Sequence, residues 1–210
     1  MNEIEKILQQ QKDHFTAEDF KLFWGDGYWE MFSGFPQLTG YEIYLKCIRP
    51  YLGIIGKDNK YLEVGCGGGY WLNRFFKNHS LSITAIDVIP KSKNIPDFIT
   101  YYQLPDCDYT CSPIADNSMD FVWCYGVFCH LPNEAVKIYV KNIKRVLKPD
   151  GHAVVMIPNW DNHPILKIVP VEEREQYKTK LHTMGWFYID MIEGDNLMPD
   201  FRDSLIHFTK

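Results

Sequence analysis

The sequence lacks an apolar run long enough to cross a membrane. A transmembrane helix needs roughly 18 consecutive apolar residues, and no stretch of this chain approaches that length. Residues 1–15 are polar and amphipathic, without the apolar segment of a secretory signal peptide. We therefore expect a cytoplasmic protein that does not bind membranes.

Positive charge is also scarce. The chain has 22 lysine and arginine residues against 27 aspartate and glutamate residues, for a net charge of −5. No electrostatic signature of nucleic-acid binding is present, so we expect no nucleic-acid partner. The densest basic run has three- and four-residue spacing, which predicts the solvated face of one helix. Its members are Lys137, Lys141, Lys144, Arg145 and Lys148.

Cysteine pairs with metal-binding spacing are missing. None of the six cysteines forms a CxxC pair, and Cys107 and Cys111 have no partner pair at zinc-site spacing. We therefore predict no metal site. Cys124 and Cys129 lie in or beside an apolar run, where a free thiol packs as a small hydrophobic group. Reduced thiols agree with a cytoplasmic location.

The chain also has no internal repeat, low-complexity tract or linker, and its 210 residues predict a single domain. Residues 1–57 predict an N-terminal helical segment. Its aromatic stretch at 24–35 is interpreted either as a lid or as a helix packed on the core. Residues 58–210 are predicted to form that core.

Strands alternate with helices from residue 58 onward, which predicts an α/β fold with a parallel sheet and helices on both faces. The last two strands follow each other without a helix, so at least one should be antiparallel. Strands are predicted at 61–64, 81–88, 98–104, 119–126, 152–159, 186–193 and 204–210. Helices are predicted at 41–52, 69–78, 133–147 and 171–184.

Glycine is concentrated between the first of these strands and the next helix, in the run EVGCGGG from Glu63 to Gly69. Glycines allow a sharp turn and a close approach of the backbone to a ligand. The first amides of the following helix then face a nucleotide. Asp87 ends the next strand, where a carboxylate can accept both ribose hydroxyls. This arrangement predicts a nucleotide-binding loop.

Two cofactor classes use this layout. The dinucleotide pattern GxGxxG would need its third glycine at Tyr70, where a tyrosine spoils the close helix–strand packing. The observed pattern, GxGxG preceded by Glu63, resembles the first motif of class I S-adenosylmethionine-dependent methyltransferases. The resemblance implies a Rossmann-like, seven-stranded fold, S-adenosyl-L-methionine as cofactor and S-adenosyl-L-homocysteine as product. It assigns cofactor binding to Glu63, Gly65, Gly67, Gly69 and Asp87.

The resemblance continues over residues 106–132. It implies that Asp108 accepts from the exocyclic amine of adenine and that the amide of Tyr109 faces the ring. Asp106 is a rival for the adenine role, because the same loop carries both acids. Tyr125, near the end of the fourth predicted strand, is also assigned to cofactor binding. Residues 142–155 are similar to the family's helix, turn and fifth strand.

Methyl transfer to a hydroxyl requires a base, because the hydroxyl proton must leave. His130 follows the fourth strand near the carboxyl edge of the sheet, where ligands bind in such folds. We interpret it either as that base or as a structural histidine. Asp161 and His163, just past the fifth strand, are alternative bases or part of a solvated connection.

These features predict an S-adenosylmethionine-dependent methyltransferase with a small-molecule acceptor. A loose similarity to methyltransferases of bacterial cell-surface polysaccharide synthesis suggests a saccharide-type hydroxyl. Two alternatives stay open. One is a non-catalytic S-adenosylmethionine-binding partner or sensor protein, and the other is an NAD-dependent oxidoreductase.

Overall fold

A seven-stranded sheet forms the centre of the protein. The computed structural model describes residues 43–52, 59–73, 82–158, 169–176, 192–199 and 203–210. The strands are β1 (Lys60–Val64), β2 (Ser82–Asp87), β3 (Thr100–Gln103), β4 (Met119–Cys124), β5 (Leu147–Pro158), β6 (Asp195–Asn196) and β7 (Asp203–Thr209).

The strand order is β3-β2-β1-β4-β5-β7-β6. Strands β1 to β5 pair in parallel, whereas β7 is antiparallel to both β5 and β6. The predicted mostly parallel sheet with an antiparallel strand at its C-terminal end is confirmed. The order reverses between β1 and β4, and such a switch point opens a crevice at the carboxyl ends of the strands.

Helical residues lie on both faces of the sheet. A π-helical segment, Tyr44–Ile48, continues into α1 (Arg49–Leu52), and residues 70–73 are helical on the same face. Helix α2 (Asn133–Val146) covers the other face. Strand β1 is buried from both sides, since Leu62 contributes to one core cluster and Tyr61 to the other. Four consecutive residues of the strand, 61–64, are therefore buried without alternation.

Of the predicted last strand pair, 204–210 corresponds to β7, whereas 186–191 lie outside the described residues and residues 192 and 193 are not in a strand. Strand β7 pairs with β5 on one side and with the short strand β6 on the other. Gly194 permits the pairing, because a Cβ there would lie 2.3 Å from the carbonyl oxygen of His207. Residues 171–176 are helical, and the rest of the helix predicted at 171–184 lies outside the described residues.

The basic run is not one solvated helical face. Helix α2 ends at Val146, so Lys148 lies in β5, where its ammonium contacts both carboxylate oxygens of Asp120 at 2.7 Å. The guanidinium of Arg145 bonds to a neighbouring loop. The prediction is therefore wrong for these two residues. In the described segments, no helix combines the length and apolar character needed to span a membrane.

Candidate functional site

A cavity of about 340 Å³ lies at the carboxyl ends of β1, β2 and β4. This is the switch point of the sheet, where ligands bind in open α/β folds. Three loops line it: the glycine loop after β1, the segment after β4, and a loop after β3. The residues that begin the connection after β2 complete the wall.

The glycine loop requires glycine for both space and conformation. Gly65, Gly67 and Gly69 have φ values of 68°, 50° and 82°, in the left-handed region that side chains disfavour. A Cβ on Gly65 would lie 2.1 Å from Cγ2 of Val127, so the loop packs directly against the segment after β4. Gly65 and Gly67 line the cavity, whereas Gly69 faces Ile95.

Asp87 joins the end of β2 to this loop. Its Oδ2 accepts a hydrogen bond from the amide of Gly67 at 2.7 Å, and its Oδ1 accepts one from the amide of Ile89 at 3.2 Å. Burial raises the pKa of Asp87, while these amide donors lower it in part. The carboxylate lines the cavity and each oxygen keeps further acceptor capacity. It is therefore positioned to accept from a ligand hydroxyl as well.

Glu63 lies beneath the glycine loop rather than on the cavity wall. Its side chain is 2% exposed, and Oε2 has no hydrogen-bond partner among the described residues. Burial raises the pKa of Glu63 well above its usual value, and the nearby charge of Asp87 raises it further. The neighbouring Tyr61 side chain lowers the pKa of Glu63 in part. Glu63 is thus a buried acid beside the loop, whereas Asp87 is partly exposed at the cavity wall.

The loop after β3 separates the two acids that were rivals for the adenine position. Asp106 lines the cavity, as does the adjacent Cys107, whose φ of 63° turns the chain. Asp108 lies in the turn behind them, where Oδ1 accepts from the amide of Thr110 and Oδ2 from the hydroxyl of Ser112, both at 2.8 Å. Although partial burial raises it, these hydrogen bonds hold the pKa of Asp108 below its usual value.

Tyr109 forms part of the same wall. Its ring lies 5.4 Å from that of Tyr139, between ring centroids, and both residues line the cavity. A hydrogen bond with Cys107, together with burial, raises the pKa of Tyr109 to about 12. Tyr139 was missed by sequence reasoning. Its helical spacing with Ala135, Val136 and Ile143 indicates a buried position on α2 but not that its ring reaches a cavity.

His130 and Tyr125 lie on the segment that follows β4, and both line the cavity. His130 ends a short 3₁₀-helix, Phe128–His130, and burial lowers its pKa to about 4. The imidazole is therefore neutral near pH 7. Tyr125 packs in an aromatic group, 5.7 Å from Trp123 and 5.0 Å from Trp71 between ring centroids.

The other predicted catalytic residues, Asp161 and His163, lie outside the described residues, as does the aromatic stretch 24–35. Sequence reasoning also missed the apolar part of the wall, formed by Val88, Ile89, Val127 and Leu131. Their positions just after strand ends are a weak signal. Within the described residues, no three His, Cys, Asp or Glu side chains come together as metal ligands.

Known proteins and protein families share sequence similarity with this chain. Residues 62–155 match a family model described as a methyltransferase domain. A tRNA U34 carboxymethyltransferase from Nautilia profundicola is 28% identical over 113 residues, which cover 51% of this chain and 36% of that protein. A methyltransferase-like protein from Schizosaccharomyces pombe, itself uncharacterized, is 31% identical over 103 residues, covering 47% of this chain and 38% of that protein.

The chain thus spans less than two fifths of the length of these two curated relatives. Among solved structures, a protein from Pyrococcus horikoshii has a TM-score of 0.51 at 14% identity and covers 86% of this chain and 98% of its own. At that identity the likeness concerns the fold alone.

Proposed function

We propose that this chain, whose residues 62–155 belong to the methyltransferase domain family, transfers the methyl group of S-adenosyl-L-methionine to a small-molecule acceptor. The product of the cofactor is S-adenosyl-L-homocysteine. The observation that carries the proposal is the pairing of Asp87 with the Gly67 amide at the wall of the switch-point cavity. This pairing brings an acid and a glycine backbone without a side chain to the edge of the sheet where nucleosides bind.

The cavity residues fit this cofactor. Asp87 would accept from the ribose hydroxyls with the acceptor capacity that remains on its oxygens. On the wall after β3, Asp106 and the backbone of Tyr109 would contact adenine. Asp106 takes this role in preference to Asp108, because the carboxylate of Asp108 is engaged by Thr110 and Ser112. The backbone of Gly65 and Gly67 would face the rest of the cofactor.

When bound, the cofactor supplies a sulfonium methyl group that is already activated for displacement. The chain contributes alignment and the exclusion of water, and orientation of reactants alone can be worth about 7–11 kcal/mol. The apolar side chains of Val88, Ile89 and Leu131 provide dry walls. Since the pKa of His130 is lowered to about 4, its imidazole adds no positive charge beside a cationic ligand.

The acceptor in this proposal carries a hydroxyl of the saccharide type, and His130 is its base. One nitrogen of a neutral imidazole carries a lone pair and can accept a proton. The pKa of about 4 makes His130 a weak base, so it would take the proton late, as the methyl group is transferred. Asp161 and His163, on the segment after β5, are the alternative bases in this proposal.

A polynucleotide acceptor is less favoured, although two relatives are named for tRNA modification. The net charge of −5 opposes binding to a phosphate backbone, which supplies much of the affinity in nucleic-acid complexes. Acceptor assays that include tRNA distinguish the two classes.

The test combines cofactor binding with transfer. Calorimetry with S-adenosyl-L-homocysteine and with NAD, each titrated into the purified chain, should give binding of the first alone. Mass spectrometry should then detect a methyl-sized mass increase in saccharides, in preference to amines, thiols and tRNA. Binding of NAD alone would overturn the proposal in favour of an oxidoreductase. Binding of S-adenosyl-L-homocysteine without transfer to any acceptor would favour a partner or sensor protein.

A further inference from the structure

One arginine holds the loop that carries Asp106, although it lies outside the cavity. The guanidinium of Arg145, in the last turn of α2, donates to the carbonyl oxygens of Thr110 at 2.9 Å, Ile114 at 3.0 Å and Cys111 at 3.3 Å. It also pairs with the carboxylate of Asp116. Its Nε donates to the side chain of Asn142 at 3.1 Å, which aims the guanidinium at the loop.

This loop, residues 104–118, connects β3 to β4 without regular secondary structure. The positive φ values recorded for non-glycine residues in the described part of the chain all fall in it, at Cys107, Cys111 and Asn117. Each such residue costs free energy and persists only where the surroundings hold it. Ordering fifteen residues also costs conformational entropy. The loop therefore depends on contacts that compensate both costs.

Arg145 is suited to supply them. A guanidinium presents five N–H donors in a planar fork, so one side chain can bond several carbonyl oxygens whose geometry is fixed. The carbonyls it reaches belong to residues that follow Asp106 and Cys107 by only a few positions. At the cavity end, the loop is tied by the amide of Leu104, which donates to the carbonyl of Asp87 at 2.7 Å. The lining residues Asp106, Cys107 and Tyr109 lie between these two attachments.

We propose that Arg145 is a positioning residue for the nucleoside end of the cofactor cavity. It acts through the 104–118 loop and sets where Asp106 and the backbone of Tyr109 meet the ligand. The inference rests on the proposed function, because the ligand it positions is S-adenosyl-L-methionine. Arg145, a residue of the basic run, thus contributes to cofactor affinity but not to methyl transfer itself.

The variants Arg145→Gln and Arg145→Lys test this role, with Lys148→Gln as the matched control. Lys148 also carries a positive charge beside the end of α2, but its partner is Asp120, outside the loop. A lysine at 145 keeps the charge and loses the fork. Folding should survive, because the main-chain bonds from Asn117 and Ser118 to the end of α2 do not involve the side chain of residue 145.

Calorimetry should show that both Arg145 variants lose about tenfold or more in affinity for S-adenosyl-L-homocysteine, and a similar factor for adenosine, since charge-assisted bonds are lost. Turnover at saturating cofactor should stay within about twofold, as should all values for Lys148→Gln. Hydrogen exchange without ligand should accelerate at the amides of residues 107–112 in the Arg145 variants.

Wild-type affinity for S-adenosyl-L-homocysteine in both Arg145 variants would overturn the inference while leaving the proposed function intact. An equal loss in Lys148→Gln would also overturn it, because the effect would then be one of general charge or stability. Failure of the unmodified chain to bind S-adenosyl-L-homocysteine would instead overturn the proposed function. If Arg145→Gln fails to fold, the comparison of Arg145→Lys with Lys148→Gln decides.

Discussion

The Oδ2 atom of Asp87 lies 2.7 Å from the backbone nitrogen of Gly67, twenty residues earlier in the chain. One carboxylate thereby joins the end of β2 to the loop that follows β1. Gly65 adds a second link, since its amide donates to the carbonyl of Ile86 at 2.8 Å. The acid and the glycine loop are therefore one unit, and a ligand that bonds to Asp87 also meets the backbone of Gly67.

Replacing Asp87 should separate the two functions of this carboxylate. Asp87→Ala removes both the bond to Gly67 and the proposed bonds to ribose. Calorimetry should show that this variant binds S-adenosyl-L-homocysteine more weakly by about 1.5–3 kcal/mol, or roughly 10- to 100-fold. Asp87→Asn keeps an oxygen for the Gly67 amide but loses the charge, so its loss should be smaller.

The control for the two Asp87 variants is a measurement that both still fold. Thermal unfolding without ligand should remain cooperative for both variants, since Asp87 takes part in the β2–β3 pairing through its main chain, which both variants keep. If both variants bind S-adenosyl-L-homocysteine as the unmodified chain does, the ribose position has been misplaced.

Asp106 and Asp108 should respond differently to the same substitution. Asp106→Asn changes the cavity wall and should weaken affinity for adenosine without changing the melting temperature. Asp108→Asn weakens the bonds to Thr110 and Ser112 and should lower the melting temperature, with a smaller effect on adenosine. Calorimetry and thermal unfolding measure the two effects separately. The reverse pattern would return the adenine role to Asp108.

Much of the fold and part of the site could be predicted from the sequence. Alternation of strands and helices predicts the sheet, and glycines at positions 65, 67 and 69 predict a loop of unusual conformation. These features follow from local chemistry, which sequence displays directly. Asp87 was predictable for the same reason, because an acid that ends a parallel strand lies at the ligand-binding edge.

The remainder depends on contacts between distant segments. The sequence gives no means to decide between Asp106 and Asp108, because the choice depends on a positive φ at the intervening Cys107. Arg145 fits the charged pattern of a solvated helix. The carbonyl oxygens it bonds lie 31 to 35 residues away in the sequence, so only the structure reveals these contacts. The short strand β6 could not be predicted, because a two-residue strand has no periodicity to detect.

Cys107 provides a test of the cavity that needs no mutation. It is exposed and lines the cavity, whereas Cys47, Cys66, Cys111 and Cys124 are buried. An alkylating reagent should therefore modify Cys107 ahead of these four thiols, as read by peptide mass spectrometry. Bound S-adenosyl-L-homocysteine should slow this reaction, and free methionine, which has no thiol to consume the reagent, should not. Equal rates with and without S-adenosyl-L-homocysteine would mean that the ligand binds elsewhere.

The protonation of His130 should appear in the pH dependence of stability. Its pKa of about 4 in the folded chain lies below the value near 6.5 of an unfolded histidine. Between these values the unfolded chain holds the proton and the folded chain does not. Stability from this residue is therefore fully present above about pH 7 and falls as the pH drops towards 4, by at most about 3 kcal/mol.

Urea unfolding of the unmodified chain and of His130→Gln, at pH 7.5 and at about pH 5, isolates this contribution. The difference in unfolding free energy between the two proteins should shrink at the lower pH, because glutamine carries no titrating proton. The raised pKa of Glu63 makes stability fall as the pH rises. Because Glu63 is present in both proteins, its contribution cancels in the difference. A difference that is the same at both pH values would mean that the pKa of His130 is not lowered in the folded chain, so that its imidazole is not desolvated at the cavity wall.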